Sequence, residues 1–245
     1  MPEKYDIEPL YIDDSILVAN KPAGLLSIPD RFNRRLPSLD HILGDRFGRI
    51  FVVHRLDRET SGAIVFARTA EAHRALSLQF EEHSIRKIYH AVVQGIVAEN
   101  TMEVDIPVMP NPAKKGAMMP SVRGKESLTI IRVLERYRGA TLLECELKTG
   151  RQHQIRVHCS AIGHPLIIDP LYGNNDAFYV SSVKRRFNLK KGTEERPLMK
   201  RVSLHSYSIG FTHPMTGEHT ESIAEYPKDY KALTQVLGKY ASAGE

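Results

Sequence analysis

The segment from Phe51 to Ala67 reads FVVHRLDRETSGAIVFA and places a polar stretch between two apolar ones. The apolar stretches, Phe51–His54 and Ala63–Ala67, are rich in β-branched and aromatic residues, so both are predicted to be strands. The polar residues Arg55–Gly62 connect these strands and are expected at a sheet edge or in a cleft. The segment therefore favours a sheet protein that carries functional side chains on a connection between strands.

Asp57 is the residue of this connection that is best suited to catalysis. Arg55 and Arg58 are its neighbours in sequence, and cations within a few ångströms favour the ionised carboxylate. An ionised aspartate among hydrogen-bond donors can act as a nucleophile or as a base. A turn with surface ion pairs, which contribute little to stability, is the alternative interpretation of the same residues.

Other segments are assigned from period-two and i, i+4 patterns. The predicted strands are Ser15–Asn20, Ile88–Val97, Leu128–Leu134 and Thr141–Leu147 as a pair around an Arg138-Gly139 turn, and Leu204–Phe211. The predicted helices are Ser38–Phe47, Ala70–His83 with Thr69 as N-cap, Gln152–Ile162 and Tyr230–Tyr240. Met109–Lys125 is predicted to be a long loop. The pattern indicates an α+β fold with a mainly antiparallel mixed sheet and a few helices, and we expect one catalytic domain over residues 1–245.

The composition is that of an ordinary globular protein. The 245 residues include 34 Lys+Arg and 29 Asp+Glu, a formal net charge of +5, and 42% are hydrophobic. This excludes a chain that is disordered, collagen-like or a coiled coil throughout. No stretch approaches the roughly 18 apolar residues of a membrane span, and Met1–Pro9 lacks the apolar core of a signal peptide. With Cys145 and Cys159 as the only cysteines, we expect no disulfide framework and a cytoplasmic location.

Positive charge is concentrated between Ser181 and Arg201. Eight basic residues stand against Glu194 and Glu195 there, so this basic stretch has a net charge of 8 − 2 = +6. The basic residues are Lys184, Arg185, Arg186, Lys190, Lys191, Arg196, Lys200 and Arg201. Such a stripe is typical of proteins that bind polyanions, RNA or DNA above all. A solvated loop without a partner has the same pattern, and charge alone does not separate the two.

A second polar cluster runs from Lys148 to His158. Gly150 allows a tight turn, and the residues after it are predicted to begin a helix, whose free N–H groups attract anions. Arg151 and Arg156 add two guanidinium groups suited to phosphate or carboxylate. An exposed cationic helix start is the alternative.

Together these segments resemble the motifs of RluA-type pseudouridine synthases. The resemblance extends over about residues 10–225, and motifs in a fixed order are far more specific than a single HRLD. The matching motifs are Asn20-Lys21-Pro22-x-Gly24, His54-Arg55-Leu56-Asp57-x-x-Thr60-Ser61-Gly62, Lys87-x-Tyr89-x-Ala91, Gly150-Arg151-x-His153-Gln154-Ile155-Arg156-x-His158, Gly163-His164-Pro165 with Asp169-Pro170-Leu171-Tyr172-Gly173, Leu204-His205, and His213-Pro214-Met215-Thr216-Gly217-Glu218.

The resemblance implies the fold of this family, with a central active-site cleft, and an isomerase that converts uridine in ribosomal or transfer RNA to pseudouridine. Asp57 matches the catalytic aspartate, which acts on the ribose by attacking C1′ or by removing a proton from C2′. Tyr89 matches the tyrosine that packs on the target uracil, and Arg156 matches the arginine that pairs with the aspartate. Ile155 matches the apolar residue under the base. Arg55 matches the arginine that fills the gap left by the flipped nucleotide.

Further RNA contacts are expected from the motifs and from the basic stretch. The candidates are His54, Arg58, Thr60, Arg151, Lys184, Arg185 and Arg186. The segment 181–201 is expected to be an RNA-contacting insertion. Because the first strand begins within about ten residues of Met1, we expect no S4-type domain before it.

The expected partner is RNA, with no DNA or membrane partner, and we expect a monomer. No metal ion or organic cofactor is expected, since neither HExxH nor paired cysteines occur. A non-catalytic RNA-binding protein of the same fold is the alternative, but such a protein has no need for the set Asp57, Tyr89 and Arg156. A nucleoside or glycoside hydrolase ranks third, because such an enzyme usually needs two working carboxylates and Glu59 is the only near neighbour of Asp57.

Overall fold

The computed structural model describes residues 7–189 and 192–242, so residues 1–6 of the segment considered as a signal peptide lie outside it. The chain divides into two compact units. Unit 1 contains the described residues up to Ile88 and His205–Glu225, and unit 2 contains those of Tyr89–Leu204 and from Tyr226 onwards. The single catalytic domain over residues 1–245 stays a prediction. No helix of the described residues is long and apolar enough to cross a membrane.

Strands dominate the described residues, with four α-helices among them. The strands are β1 (Pro9–Ile12), β2 (Ile16–Lys21), β3 (Phe51–Val52), β4 (Ser61–Ala67), β5 (Arg86–Gln94), β6 (Thr101–Asp105), β7 (Val108–Pro110), β8 (Met118–Pro120), β9 (Leu128–Tyr137), β10 (Ala140–Leu147), β11 (Leu204–Thr212) and β12 (His219–Ile223). The helices are α1 (Leu39–Phe47), α2 (Ala70–Glu81), α3 (Gln154–Ala161) and α4 (Lys228–Tyr240). Antiparallel pairs prevail, which confirms the α+β prediction.

In unit 1 the strand order is β1-β2-β4-β11, with β3 added to β4 and β12 to β11. The β4–β11 pair is parallel, and the other pairs of this unit are antiparallel. The close approach of β4 to β11 requires glycine at position 62, where φ is +117° and a Cβ atom would lie 2.1 Å from Ser206 O. The glycine of the HRLDxxTSG motif thus lets β4 lie against β11 directly after the Asp57 connection.

The core of unit 1 is built from one face of the β2–β4 pair and from α2. Alternate residues of the strands, such as Ile16, Val18 and Val65, pack with Ala72 and Leu76 of the helix. The Thr69 side chain accepts the Ala72 N–H at 3.1 Å, as its predicted role as N-cap requires. This packing gives the strands that flank the Asp57 connection a fixed base.

The strand before Asp57, β3, ends at Val52, two residues earlier than predicted. The prediction of a strand over Phe51–His54 was wrong in length, since β3 has two residues. His54 Nε2 accepts the Val65 N–H at 3.1 Å, so a side chain takes the place of the next strand-to-strand hydrogen bond. The imidazole also stacks on the Phe80 ring, with centroids 4.6 Å apart. The chain therefore leaves the sheet at His54 and enters the connection that carries Asp57.

In unit 2 the strand order is β5-β10-β9-β6, and β7 pairs with β8 in a separate hairpin. The β9–β10 hairpin turns at Arg138-Gly139 as predicted. The core of this unit forms between α4 and the sheet, where Tyr230, Leu233 and Leu237 pack with Tyr137 and Phe178.

Two further predictions need correction. Met109–Lys125 is not a loop throughout, because it includes most of the β7–β8 hairpin; prolines at the strand ends hide this pattern. Helix α3 begins at Gln154 and not at Gln152, because His153 adopts a left-handed conformation with φ of 56°. The strands β6 and β12 were not predicted, since each has only five residues and several of them are exposed.

His54 is expected to make the folded state less stable at acid pH. Burial of the ring, helped by the charge of Lys87, lowers the pKa of His54 from 6.5 to about 3. Below pH 6.5 the unfolded chain binds a proton at this residue that the folded chain does not bind until about pH 3. The free energy of unfolding therefore falls as the pH decreases from 7. His54→Gln keeps an acceptor for the Val65 N–H and removes the titration, so we expect a shallower slope of unfolding free energy against pH.

The slope is measured by urea denaturation between pH 7 and 5.5. Exposed His41→Gln serves as the matched control. A shallower slope is expected but not a flat one, because burial also lowers the pKa of His90, to about 4. Equal slopes for the wild type and His54→Gln would contradict the prediction.

Candidate active site

The connection from Leu56 to Thr60 carries Asp57, and its backbone is tied down at several points. Leu56 is buried, and Ser27 Oγ accepts its N–H at 3.0 Å and donates to its carbonyl oxygen at 2.9 Å. The Thr60 N–H donates to Asp57 O at 3.1 Å and closes a turn. The backbone on both sides of Asp57 is therefore fixed, while Asp57 itself is only partly buried.

Lys21 is the second support of this connection. It is fully buried, and its Nζ donates to the carbonyl oxygens of Leu25 at 2.8 Å, Pro22 at 3.0 Å and Arg58 at 3.1 Å. The Gly24 N–H also donates to Arg58 O, at 2.8 Å. The residue that follows Asp57 is thus held by both a side chain and the main chain of the Lys21–Leu25 turn. Carbonyl oxygens around a buried ammonium offset the cost of removing its charge from water.

The other candidates of this connection differ in their surroundings. Arg55 is exposed. Arg58 is also exposed, and its Nε donates to Gly24 O at 3.0 Å, which limits the motion of its guanidinium group. Thr60 is 2% exposed, and its Oγ1 has no hydrogen-bond partner within residues 7–189 and 192–242. His54 is occupied by Val65 and Phe80 as described above, so it supports the sheet.

The candidates Tyr89, Ile155 and Arg156 are buried residues of unit 2. Tyr89 lies on β5, and the other two lie in the first turn of α3. Arg156 donates from Nε and Nη2 to the two carboxylate oxygens of Asp169, both at 2.8 Å. This bidentate pair fixes the plane of the guanidinium group. The predicted pair between Arg156 and Asp57 stays a prediction.

Asp169 collects four further restraints within its own turn. Its Oδ1 accepts the N–H of Leu171 at 2.9 Å and of Tyr172 at 3.1 Å. Its backbone carbonyl accepts the Gly173 N–H, and its own N–H donates to Asn175 O, both at 2.9 Å. Burial raises the pKa of this carboxyl, but the hydrogen bonds and charge of Arg156 and the two N–H groups outweigh burial, so the pKa is lowered. Asp169 therefore stays ionised and keeps Arg156 in one orientation.

Tyr172 connects the Arg156 pair to the β7–β8 hairpin. The guanidinium carbon of Arg156 lies 4.9 Å from the centroid of the Tyr172 ring. The Tyr172 hydroxyl accepts the Met118 N–H and shares a hydrogen bond with His153 Nδ1, both at 2.7 Å. The start of α3, the hairpin and the Asp169 turn are thus joined around one aromatic ring.

The start of α3 is less open to an anion than the sequence suggests. Gln154 is 2% exposed, and its Oε1 accepts the Arg151 N–H at 3.0 Å and the Thr149 hydroxyl at 2.8 Å. Arg151 Nε donates to Glu126 O at 3.0 Å. The turn before the helix therefore satisfies part of its donors internally.

Two residues that matter to this geometry were not among the predicted site residues, namely Lys21 and Asp169. Both lie inside motifs that carry the family resemblance, which is the signal that could have found them. A lysine after a strand and an aspartate before a proline are ordinary turn residues in sequence, and burial is not visible there. Their roles follow from the carbonyl oxygens and the guanidinium group that the fold brings to them.

The basic stretch contains cations in different states. Arg185 and Arg186 are exposed, whereas the Lys184 ammonium lies 5.4 Å from the centroid of the Tyr240 ring. Arg201 is buried and paired with Asp229 at 2.7 and 3.0 Å, so it does not belong to the exposed charge. The predicted cations Lys190 and Lys191 lie outside the described residues.

The described residues offer no clustered set of metal ligands. Over residues 7–189 and 192–242, no three His, Cys, Asp or Glu side chains are grouped so that they could hold a metal ion. Cys145 and Cys159 are free thiols and fully buried.

Known proteins provide an independent comparison. A family model described as RNA pseudouridylate synthase matches residues 15–161. The ribosomal large subunit pseudouridine synthase D of Neisseria meningitidis serogroup B is 38% identical over 243 residues, which cover 97% of this chain and 63% of that protein. The protein of the same name from Zymomonas mobilis is 36% identical over 96% of this chain and 74% of its own length. The chain thus spans just under two thirds of the Neisseria relative.

A solved structure agrees with these matches. The human RNA pseudouridylate synthase domain containing 1 is 28% identical, with a TM-score of 0.69 and coverage of 91% of this chain and 84% of that one. The family model covers more than half of the chain, and the motif around Asp57 lies inside the matched residues. These findings confirm the resemblance inferred from the motifs, and the chain belongs to the RNA pseudouridylate synthase family.

Proposed function

We propose that this chain converts uridine to pseudouridine in RNA and that Asp57 is its catalytic carboxylate. The observation that carries the proposal is the support of the Asp57 connection, whose backbone is fixed by buried groups on both sides. A carboxylate that acts on one carbon of a ribose needs such a fixed approach. Family membership supplies the reaction class, and the names of the two bacterial relatives favour ribosomal RNA as the target.

The reaction is an isomerisation and needs no other reactant. The bond between N1 of uracil and C1′ of ribose breaks, the uracil turns, and a bond forms between C5 and C1′. The hydrogen at C5 leaves as a proton, and N1 takes up a proton. Asp57 starts this sequence, either by attacking C1′ or by removing the C2′ proton, and both routes use its ionised form.

Tyr89, Arg156, Asp169 and Arg55 have supporting roles in this reaction. Tyr89 packs on the target uracil, and the guanidinium group of Arg156 stabilises the negative charge of the catalytic carboxylate. Asp169 acts through Arg156 as a positioning residue, because its ionised carboxylate fixes the guanidinium plane. Exposed Arg55 occupies the place of the flipped nucleotide, as an arginine plane can stack on neighbouring bases.

The first experiment measures proton loss from C5 and maps the modified site. Purified protein is incubated with cellular RNA that carries tritium at C5 of uridine, from cells lacking the gene, and tritium release is followed. Pseudouridines are mapped by carbodiimide labelling and reverse-transcription stops. We expect Asp57→Asn to lower the rate at least about 100-fold while folding normally, because only the reacting carboxylate is changed.

Glu59→Gln is the matched control, since it removes a neighbouring carboxylate from the same connection. We expect a rate within a few-fold of the wild type for this variant. If the wild type binds RNA but releases no tritium and creates no new stop, the non-catalytic RNA-binding alternative replaces the proposal.

Lys21 provides a second prediction, because its ammonium holds the residue next to Asp57. Lys21→Met keeps the length of the side chain but removes the donor to the carbonyl oxygens of Leu25 and Pro22, while Arg58 O keeps the Gly24 N–H. We expect the free energy of unfolding to fall by about 3 kcal/mol, since each buried acceptor without a partner costs about 1–3 kcal/mol. The rate constant for tritium release should fall more than the RNA affinity, because the connection loses its fixed position.

Exposed Lys231→Met serves as the control for Lys21→Met. Urea denaturation measures stability, and single-turnover kinetics separate the rate constant from RNA binding. A folded Lys21→Met protein with the wild-type rate constant would contradict the positioning role of this ammonium.

The basic stretch is proposed to contact RNA phosphates through its exposed cations. Arg185 and Arg186 meet this requirement, whereas Lys184 is partly engaged by aromatic rings. Removing one cation that neutralises a phosphate should change the slope of log K against log salt by about 0.7–0.9. The double variant Arg185→Gln/Arg186→Gln is therefore expected to bind RNA with a less steep salt dependence.

The control for this variant removes the same charge elsewhere, as Arg74→Gln/Lys231→Gln, since both residues are exposed. Binding is measured by fluorescence anisotropy between 50 and about 200 mM salt, a range over which phosphate-binding proteins change strongly in affinity. Identical slopes in the two double variants would show that the basic stretch does not contact RNA.

A further inference from the structure

A cavity of about 560 Å³ opens in unit 2 among residues that have no predicted role in catalysis. Its walls come from the end of β5, the β9–β10 turn, the segment 174–183 and α4. The volume lies within the range of about 300–1,000 Å³ that is typical of ligand pockets. Polar and aromatic residues of the lining include Gln94, Arg138, Asn175, Asp176, Phe178 and Tyr179.

The walls of this cavity are held by hydrogen bonds, so the space is largely preformed. The Gly95 N–H donates to Gly139 O at 2.9 Å, which joins two of the walls. Asn175 Nδ2 donates to Ile167 O at 3.2 Å, and the Phe178 N–H donates to Met199 O at 2.9 Å. A ligand therefore finds a shaped site and does not have to order it.

The lining combines a stacking surface with groups that read hydrogen-bond patterns. Phe178 belongs to the hydrophobic core of unit 2 and is buried, while Tyr179 is 38% exposed and is the aromatic residue of the lining that a base could stack on. Gln94 and Asn175 carry amides. Gln94 Nε2 donates to Leu166 O at 3.4 Å and Asn175 Nδ2 donates to Ile167 O at 3.2 Å, and each amide also has a second N–H and an oxygen acceptor. An aromatic ring together with amide groups is the usual way in which proteins hold an unpaired RNA base.

Asp176 is the only carboxylate among the described residues that line the cavity, and it limits which RNA bases can bind there favourably. An ionised carboxylate only accepts hydrogen bonds and repels phosphate. It matches the exocyclic amino group of adenine, cytosine or guanine, as carboxylates do with the amino group of cytosine. Uracil has no amino group, so the preferred base differs from the one that reacts.

The surroundings provide the phosphate contacts that such a base needs. Val183 belongs to the wall, and the exposed cations Arg185 and Arg186 follow two and three residues later. Arg138 lines the other side of the cavity. A nucleotide whose base lies in the cavity would therefore have cations next to its phosphate groups, while Asp176 faces the base.

From these observations we propose that the cavity binds an unpaired RNA base with an exocyclic amino group, distinct from the target uridine. The proposal rests on the proposed function in taking RNA as the polymer. The site acts as a second anchor, which selects RNA by a nucleotide that undergoes no reaction. Its occupant is a nucleotide of the bound RNA and not the uridine that Asp57 acts on.

The test compares Tyr179→Ala with Tyr11→Ala, a matched control in unit 1 with 37% exposure. Binding of the full chain to 5′-fluorescein-labelled 10-nucleotide oligo(A), oligo(C) and oligo(U) is measured by anisotropy. We expect Tyr179→Ala to weaken oligo(A) and oligo(C) binding by about tenfold, as loss of one stacked base predicts, and oligo(U) binding less than twofold. Tyr11→Ala should leave all three affinities unchanged.

Two further measurements keep the proposal falsifiable if Tyr179→Ala folds poorly. Asp176→Asn changes an exposed side chain. This variant should lose most of the difference in affinity between oligo(A) or oligo(C), whose bases carry an amino group, and oligo(U). Ultraviolet crosslinking of the wild type to oligo(A), followed by peptide mass spectrometry, should place the crosslink within residues 174–183. The proposal would be overturned if Tyr179→Ala lost equal affinity for oligo(A) and oligo(U), or if the crosslink were confined to other residues.

These outcomes are separable from the failure of the proposed function. Tritium release by Tyr179→Ala at the wild-type level, with unchanged oligo(A) affinity, removes the second anchor and leaves the isomerase in place. Loss of oligo(A) affinity in a protein whose wild type releases no tritium supports the anchor and removes the isomerase.

Discussion

The geometry of the Asp57 connection depends on the hydrogen bonds that the buried Lys21 ammonium donates. A buried charge is tolerated only where polar groups replace the water that it has lost. The carbonyl oxygens of Leu25, Pro22 and Arg58 do so at 2.8–3.1 Å. They come from two segments that lie far apart in sequence, and neither can move away without leaving the charge poorly solvated. The lysine therefore converts the connection between β3 and β4 from a surface turn into a fixed element.

A steric constraint adds to this electrostatic one. Gly62 is the second residue of β4 and pairs with Ser206 of β11, where a Cβ atom would overlap with Ser206 O. The polar connection is thus fixed by Lys21 at Arg58 and by a glycine contact where it enters β4. Both constraints act on backbone atoms, so the position of the Asp57 connection does not depend on the Asp57 side chain alone. Asp169 is fixed through its side chain, because its buried carboxylate is bonded to Arg156 and to two N–H groups.

Much of this arrangement could be predicted from the sequence, because apolar alternation and the motif order carry it. β2, β4, β9, β10 and β11 were predicted to within about three residues of their ends, since each has a long apolar face. The hairpin β7–β8 was missed because its strands have three residues and end in proline. Partners of buried charges were missed for a different reason. Nothing in the local sequence distinguishes Arg201, which pairs with Asp229, from its exposed neighbours in the basic stretch.

Asp169 also gives a physical reason why a second RNA contact in unit 2 would matter to the reaction. Its carboxylate fixes Arg156, and its N–H donates to Asn175 O, so seven residues of chain span both the guanidinium pair and the wall of the cavity. The intervening turn is closed by the Gly173 N–H on Asp169 O and by the hydrogen bond from Asn175 Nδ2 to Ile167 O. A turn bonded in this way moves as one piece. A nucleotide held against Asn175 would therefore restrict the same segment that orients Arg156, and RNA without a suitable second nucleotide would lose that restriction together with its affinity.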